Sequence, residues 1–469
     1  MLFETNDATS DERFLTIAIS LLTFDSLGLD AVHAESSDID ALMEQIAALD
    51  AQIYDLAAKD YTFTYDGETY NANGGIVYAN EYLMNTDDYY PFCDALQQAC
   101  IERSNDIGEL FLELVEVRNE YAQLFGYDNY LEYETAMRGL DDGDAEIIIQ
   151  ALIDYMPKTL HFLAWNDWTT ASNPDGIPLE EEQFMHQAAA FYGNISPNYQ
   201  TLLEDLINSD SLYLEKVDKR IGGSAVSINP NSDNSVSVHI RYADMLVFYA
   251  SSVHEFGHYL HNIQELGADE IRYFAIYETH SSAGMLLCAD DIEQYFREKY
   301  GDTNGAFFTL YYLMNSMDFL WNTVLYYPIF EDIYKHPENY EPEDIAQSYI
   351  DRSLALGYDG GYSEEYRMLL GTQWCNFTDI FDMPAYLVAY AIGYTNSLWL
   401  WHKQQNGGNA AEIYTELTDT VIPDVSLNEF CSQVGLPDFK DAATYEDLDD
   451  SFYDKMASLY IEIYGAEPY

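Results

Sequence analysis

The chain has 469 residues and a mass of 53.7 kDa, with 48% apolar and 15% aromatic residues. That composition suffices for a large core and excludes wholesale disorder. Its 82 acidic residues against 19 basic ones leave a formal charge of −63, so the surface repels phosphate backbones and anionic lipid heads, and neither nucleic-acid binding nor stable membrane association is expected.

The chain opens on an apolar run, Phe14 to Phe24, followed by Val32-His33-Ala34. Acidic residues around the run leave two readings. One is a degenerate export signal ending near Ala34; the other is an ordinary N-terminal helix. Localisation is accordingly read as either exported or cytoplasmic. Helical spacing of apolar residues then predicts helices over Asp38–Ala58, Tyr89–Leu124 and Asp144–Asn166. Turn clusters stand at Asp141–Asp144 and Ser172–Gly176. Five cysteines, Cys93, Cys100, Cys288, Cys375 and Cys431, are an odd number without a CxxC pair, and read as buried thiols.

One region departs from helical spacing. From Ser224 to Tyr242 apolar and polar residues alternate around Asn229–Asp233, the signature of a β-hairpin. Directly after it, Ala243–Leu266 reads as one helix carrying His254-Glu255-Phe256-Gly257-His258. Histidines four apart stack on one helix face, so both imidazoles can reach one metal ion, with Glu255 beside it to take a proton from water. With ten histidines in the chain, such a motif arises by chance on the order of 0.02 times.

A third ligand is needed, and Glu278, in the predicted helix Ile271–Leu287, is the best candidate. Its carboxylate lies among apolar neighbours, where a cation would offset the burial. Glu265, Asp269 and Glu270 fall near the interhelical turn, where solvated acids are expected. His261 and His280 are either partners that orient a ligand or packing residues. For His239, strand parity leaves open whether it faces the cleft or solvent. Further on, Gly357–Tyr362 is a glycine-rich loop.

The stretch HEFGHYLH followed by ETHSS resembles the thimet oligopeptidase family of zinc metallopeptidases (gluzincins), particularly its oligoendopeptidase F branch. Val115–Tyr133, with Arg-Asn-Glu and Gly-Tyr-x-Asn-Tyr, is similar to a helix–turn segment of that family. Pro384–Gly393 is similar to its Tyr-rich stretch. The resemblance implies a mainly α, elongated, two-lobed fold with a deep substrate channel and a small β-hairpin or sheet beside the metal-binding helix. It also implies one Zn2+ per chain held by His254, His258 and Glu278, with Glu255 as general base and acid. An edge strand of the hairpin would pair with extended oligopeptide substrates.

By the same resemblance, Tyr386 and Tyr390 would help stabilise the oxyanion, whereas Ile380 stands where the family places a histidine. Met285 is a second departure, at a position where many relatives carry an acid. The domain reading is a stretch 1–37 and one peptidase-like unit 38–469, with an abbreviated helical region 38–104 and a catalytic region from about 105 onward. The expected activity is metalloendopeptidase cleavage of short oligopeptides. Alternatives are a metallocarboxypeptidase of similar helical build, or a peptide-binding relative with weak or lost turnover.

Overall fold

A computed structural model describes residues 36–468, apart from 73–74, 80–82, 84–85, 142, 166–179, 217–224, 230–234, 243–244, 264–273, 359–362, 377–380, 382 and 421–424. The apolar run Phe14–Phe24 and Ala34, the rival acids Glu265, Asp269 and Glu270, and Ile380 all lie outside the described residues. What is described is mainly α with two small sheets, as the spacing predicts. No helix among the described residues is long and apolar enough to cross a membrane.

Helix α1 (Ser36–Ala58) packs on α2 (Tyr89–Leu124), both within a residue or two of their predicted bounds. Between them lies a hairpin of β1 (Thr62–Tyr65) and β2 (Glu68–Asn71) that the helical reading overlooked. Its signal was Asp66-Gly67 between alternating residues. Both adopt positive φ, +47° and +82°, as a tight turn matched to strand twist requires. This hairpin joins Phe92, Leu96 and Tyr366 in a small core. A much larger core runs from Ile46 of α1 to Leu459 near the end of the chain.

Helix α3 (Tyr130–Met137) follows a turn whose side chains do the holding. Asn129 caps it by accepting from the Glu132 amide at 3.0 Å, and Asn119 of α2 accepts from the Tyr130 amide at 2.9 Å. Beside Asn119, the buried Arg118 donates to the Tyr334 hydroxyl at 3.1 Å and reaches Asp50 of α1 at 3.4 Å. The Arg-Asn-Glu and Gly-Tyr-x-Asn-Tyr segments are thus one device that fixes α1, α2 and α3 to each other.

The predicted helix Asp144–Asn166 is two: α4 (Asp144–Tyr155) and α5 (Pro157–Trp165). Proline lacks an amide proton and pushes the preceding residue out of helical φ/ψ; Met156 has φ −121°. The carboxylate of Asp449 then caps α5, accepting from the amides of Lys158 and Thr159 at 3.0 and 2.7 Å. Helices α6 (Glu181–Ile195) and α7 (Pro197–Ile207) lead into the second sheet.

In that sheet β4 (Ala225–Asn229) and β5 (Ser235–Tyr242) pair antiparallel, the expected hairpin. A third strand, β3 (Leu212–Lys216), pairs parallel with β5, so β5 is central and the sheet edges belong to β3 and β4. Burial alternates along β5 from Val236 to Tyr242, which places His239 on the solvent side. It pairs there with Glu215 at 3.2 Å. Helices α8 (Met245–Asn262) and α9 (Phe274–Leu287) follow, then α10 (Ala289–Tyr300), α11 (Asp302–Asn315), α12 (Asp318–Lys335), α13 (Pro342–Ala355) and α14 (Glu364–Gly371). The chain closes with α15 (Tyr386–Gln405), α16 (Ala410–Asp419), α17 (Leu427–Val434) and α18 (Leu448–Tyr464). All five cysteines are free and buried; burial pushes the Cys93 thiol up to about 11 and those of Cys100 and Cys431 to about 12.

Two predictions follow from these features. Arg118→Met removes the guanidinium paired with the buried Asp50 carboxylate, 2% exposed, and with the Tyr334 hydroxyl, and should cost about 3–5 kcal/mol in urea unfolding; a loss well under 1 kcal/mol would contradict the pinning role. Screening the charge of −63 should raise the melting temperature steadily between about 0.05 and about 1 M salt. A flat profile would show that self-repulsion is unimportant.

Candidate metal centre

The centre depends on three helices that approach unusually closely. Helix α9 is buried around nearly its whole circumference, clasped by α8 on one side and α15 on the other. At the α8–α9 crossing stands Gly257, inside the His-Glu-x-x-His motif. A Cβ there would lie 2.6 Å from the Ser281 Cα and 2.7 Å from the His280 carbonyl oxygen. At the α9–α15 crossing stands Gly393, whose Cβ would lie 2.8 Å from the Glu278 Cβ and 3.1 Å from the Thr279 amide nitrogen. No other residue permits such backbone contact. Two glycines therefore set how near Glu278 stands to the imidazoles.

The outcome is a cluster. His254 Nε2 lies 3.0 Å from His258 Nε2. Glu278 Oε2 is 3.7 Å from His254 Nε2, and Oε1 is 3.9 Å from His258 Nε2. Side-chain exposure falls from 19% at His254 to 5% at His258 and 1% at Glu278. The predicted ligand trio is brought together, and no other such group of three stands among the described residues.

Burial shapes the electrostatics. It pushes the His254 imidazole down to about 4 and that of His258 well below its ordinary value, so both rings are neutral and carry lone pairs for a cation. Glu255 is raised well above the carboxylate range, by burial first and by the negative charge of Glu278 second. Its Oε2 is buried with no hydrogen-bond partner among the described residues. Glu278 is held at both oxygens: the Tyr386 hydroxyl donates to Oε1, and Ser281 Oγ lies 3.4 Å from Oε2.

This donor set fits a zinc ion. Two imidazole nitrogens and one carboxylate oxygen leave a tetrahedral ion one open position, and ligand atoms at zinc bond lengths stand roughly 3.3 Å apart. The two imidazole nitrogens stand 3.0 Å apart, near that value, and one ligand atom from each of the three residues lies within 4.8 Å of the other two. The orphaned oxygen of Glu255 beside the trio fits a water molecule at the open position.

His261 and His280 stack on each other at 4.1 Å, and His280 Nδ1 lies 3.4 Å from Thr418 Oγ1, as packing residues do. Met285 is buried, with Tyr312 donating to its carbonyl oxygen at 3.0 Å. Tyr390 sits with its ring 4.5 Å from that of Tyr386, stacked on Phe319 at 3.9 Å.

Sequence reasoning missed several contributors. Tyr277 stacks on the His258 ring at 3.8 Å and 16°, fixing its plane. Glycines 257 and 393 were visible as residues, but their purpose appears only when the neighbouring helix is placed. Glu134 and Arg138 of the α3 region also reach Ala385 and Tyr386, respectively, though nothing in their spacing announces it.

No family model and no curated protein matches the sequence. Comparison of folds gives a firm result. The chain superimposes on a Pz peptidase A solved with an inhibitor at TM-score 0.72 and 16% identity, over 97% of this chain and 82% of that one. It superimposes on the oligoendopeptidase F of Enterococcus faecium at TM-score 0.63 and 15% identity, over 97% and 80%. The fold is the helical oligoendopeptidase fold. At these identities the likeness speaks for the fold, and the chemistry must be argued from the side chains.

Gly257→Ala tests the geometry. The added methyl should force α8 and α9 apart, costing about 1–3 kcal/mol and weakening metal uptake. Unfolding and metal titration equal to wild type would refute the close approach.

Proposed function

We propose that the protein is a zinc-dependent metalloendopeptidase that hydrolyses internal bonds of short, unstructured oligopeptides. The observation that carries this reading is the convergence of His254, His258 and Glu278 with a buried, unpartnered Glu255 oxygen beside them. The oligoendopeptidase fold of the chain agrees with it.

His254, His258 and Glu278 would hold the ion. When bound, zinc polarises the scissile carbonyl and makes water acidic enough to attack near neutral pH. The protein's own groups supply the proton traffic. Burial and the Glu278 charge make Glu255 a stronger base than an exposed carboxylate, suited to take the proton of the attacking water and pass it to the departing amine. Tyr390 is assigned as a donor to the oxygen that becomes negative as water adds to the carbonyl. The hydroxyl of Tyr386 lies on Glu278, which supports a role in orienting that ligand.

The depth of the site argues for extended substrates. With Glu278 and His258 1% and 5% exposed, a folded protein could not bring a peptide bond to them. Because β5 is central, main-chain pairing with a substrate falls to the edge strand β4, which packs on α8.

His254→Ala and His258→Ala should each abolish stoichiometric zinc binding, while Glu255→Gln should keep zinc and lose turnover by several orders of magnitude. Full zinc occupancy in either histidine variant would overturn the ligand assignment, and turnover by Glu255→Gln equal to wild type would point to a binding protein instead. Tyr390→Phe should lower kcat by about 10²–10³. Peptides blocked at both termini distinguish the cleavage mode, since a carboxypeptidase needs a free C-terminal carboxylate.

A further inference from the structure

We infer that Arg138 and Glu134 form a buried clamp that positions Tyr386, and through it Glu278, for metal binding. The inference rests on the zinc reading above and adds two positioning residues to it. Both side chains are almost wholly buried and ion-paired to each other, with Arg138 Nε also donating to Glu134 Oε1 at 3.2 Å.

Each partner reaches a different helix of the centre. Glu134 Oε2 accepts from the amide of Ala385 at 2.9 Å. Ala385 immediately precedes α15 and has no side chain to cap it. A carboxylate there satisfies an otherwise orphaned donor and sits favourably at the positive end of the helix dipole. The Arg138 guanidinium lies over the Phe274 ring at 4.4 Å and near the Tyr386 ring at 5.7 Å. Those rings meet edge to face at 5.0 Å and 80°. Phe274 opens α9, one turn ahead of Glu278, and Tyr386 opens α15. One planar cation therefore fixes the first turn of the helix that carries the ligand against the first turn of the helix that carries the phenol.

The guanidinium's own bonding supports this purpose. Arg138 Nη1 is buried with no hydrogen-bond partner among the described residues, which is costly for a group held only to satisfy a salt bridge. A flat cation over aromatic faces gains from its plane as well as its charge, and lysine cannot reproduce that. The consequence falls on Glu278. Its Oε1 accepts the hydrogen bond of the Tyr386 hydroxyl, so a Tyr386 ring free to tilt would let the carboxylate rotate away from the two imidazoles. Groups that orient a metal ligand in this way typically change affinity 10–100-fold when removed.

The test is zinc affinity, measured by chelator competition on Arg138→Lys and on the doubly neutral Arg138→Met/Glu134→Gln. The latter leaves no unpaired buried charge and keeps an acceptor for the Ala385 amide. Both should bind zinc 10–100-fold more weakly than wild type, and in a Tyr386→Phe background the further loss from either should disappear. Zinc affinity equal to wild type, or an undiminished loss in the Tyr386→Phe background, overturns the clamp. Failure of the wild-type chain to bind zinc through His254, His258 and Glu278 would refute the metallopeptidase reading itself, a result distinct from variants that match a zinc-binding parent.

Discussion

The whole centre depends on how closely three helices can pass. Glu278 is one turn into a helix enclosed by its neighbours, and its carboxylate is almost inaccessible to solvent. It reaches the two imidazoles only because glycines at 257 and 393 remove the side chains that would hold the backbones apart. Those contacts make a carboxylate that would otherwise be expensive to bury a candidate metal ligand, because a buried charge is tolerated where a cation and fixed donors surround it.

Around that contact the protein builds successive restraints on side-chain orientation. Tyr277 fixes the plane of His258, Ser281 and Tyr386 engage the two oxygens of Glu278, and the Arg118–Asn119 device steadies the turn that launches α3. The α3 region in turn carries Glu134 and Arg138 to the start of α15. Such layering is what a metal site demands, since ligands must be held within fractions of an ångström for affinity. It also explains why so distant a pair as Asp50 and Arg118 sits fully buried in the same core.

The surface obeys a different logic. Its excess of carboxylates contributes little to the architecture, and among the described residues many of the basic ones are engaged in partly exposed pairs such as Arg297 with Glu462 and Lys299 with Glu180. Pairs of this kind add little stability each, so the fold is carried by the large apolar core and the buried polar contacts rather than by surface charge.

Much of this was legible in the residues themselves. Helical periodicity located α1, α2 and α9, alternation located β4 and β5, and a four-residue histidine spacing located two members of the His-His-Glu cluster, because each is a local pattern with its own period. The β1–β2 hairpin was equally local but was hidden by the helical surroundings, and Pro157 split a helix whose apolar spacing ran straight through it. Beyond these, sequence was silent for a physical reason. The parallel partner of β5, the solvent-side place of His239, the stacking of His261 on His280 and the reach of Arg138 to Tyr386 all depend on residues far apart in the chain. Only the packed fold could decide them, since contacts between separate elements leave no periodic trace in either one.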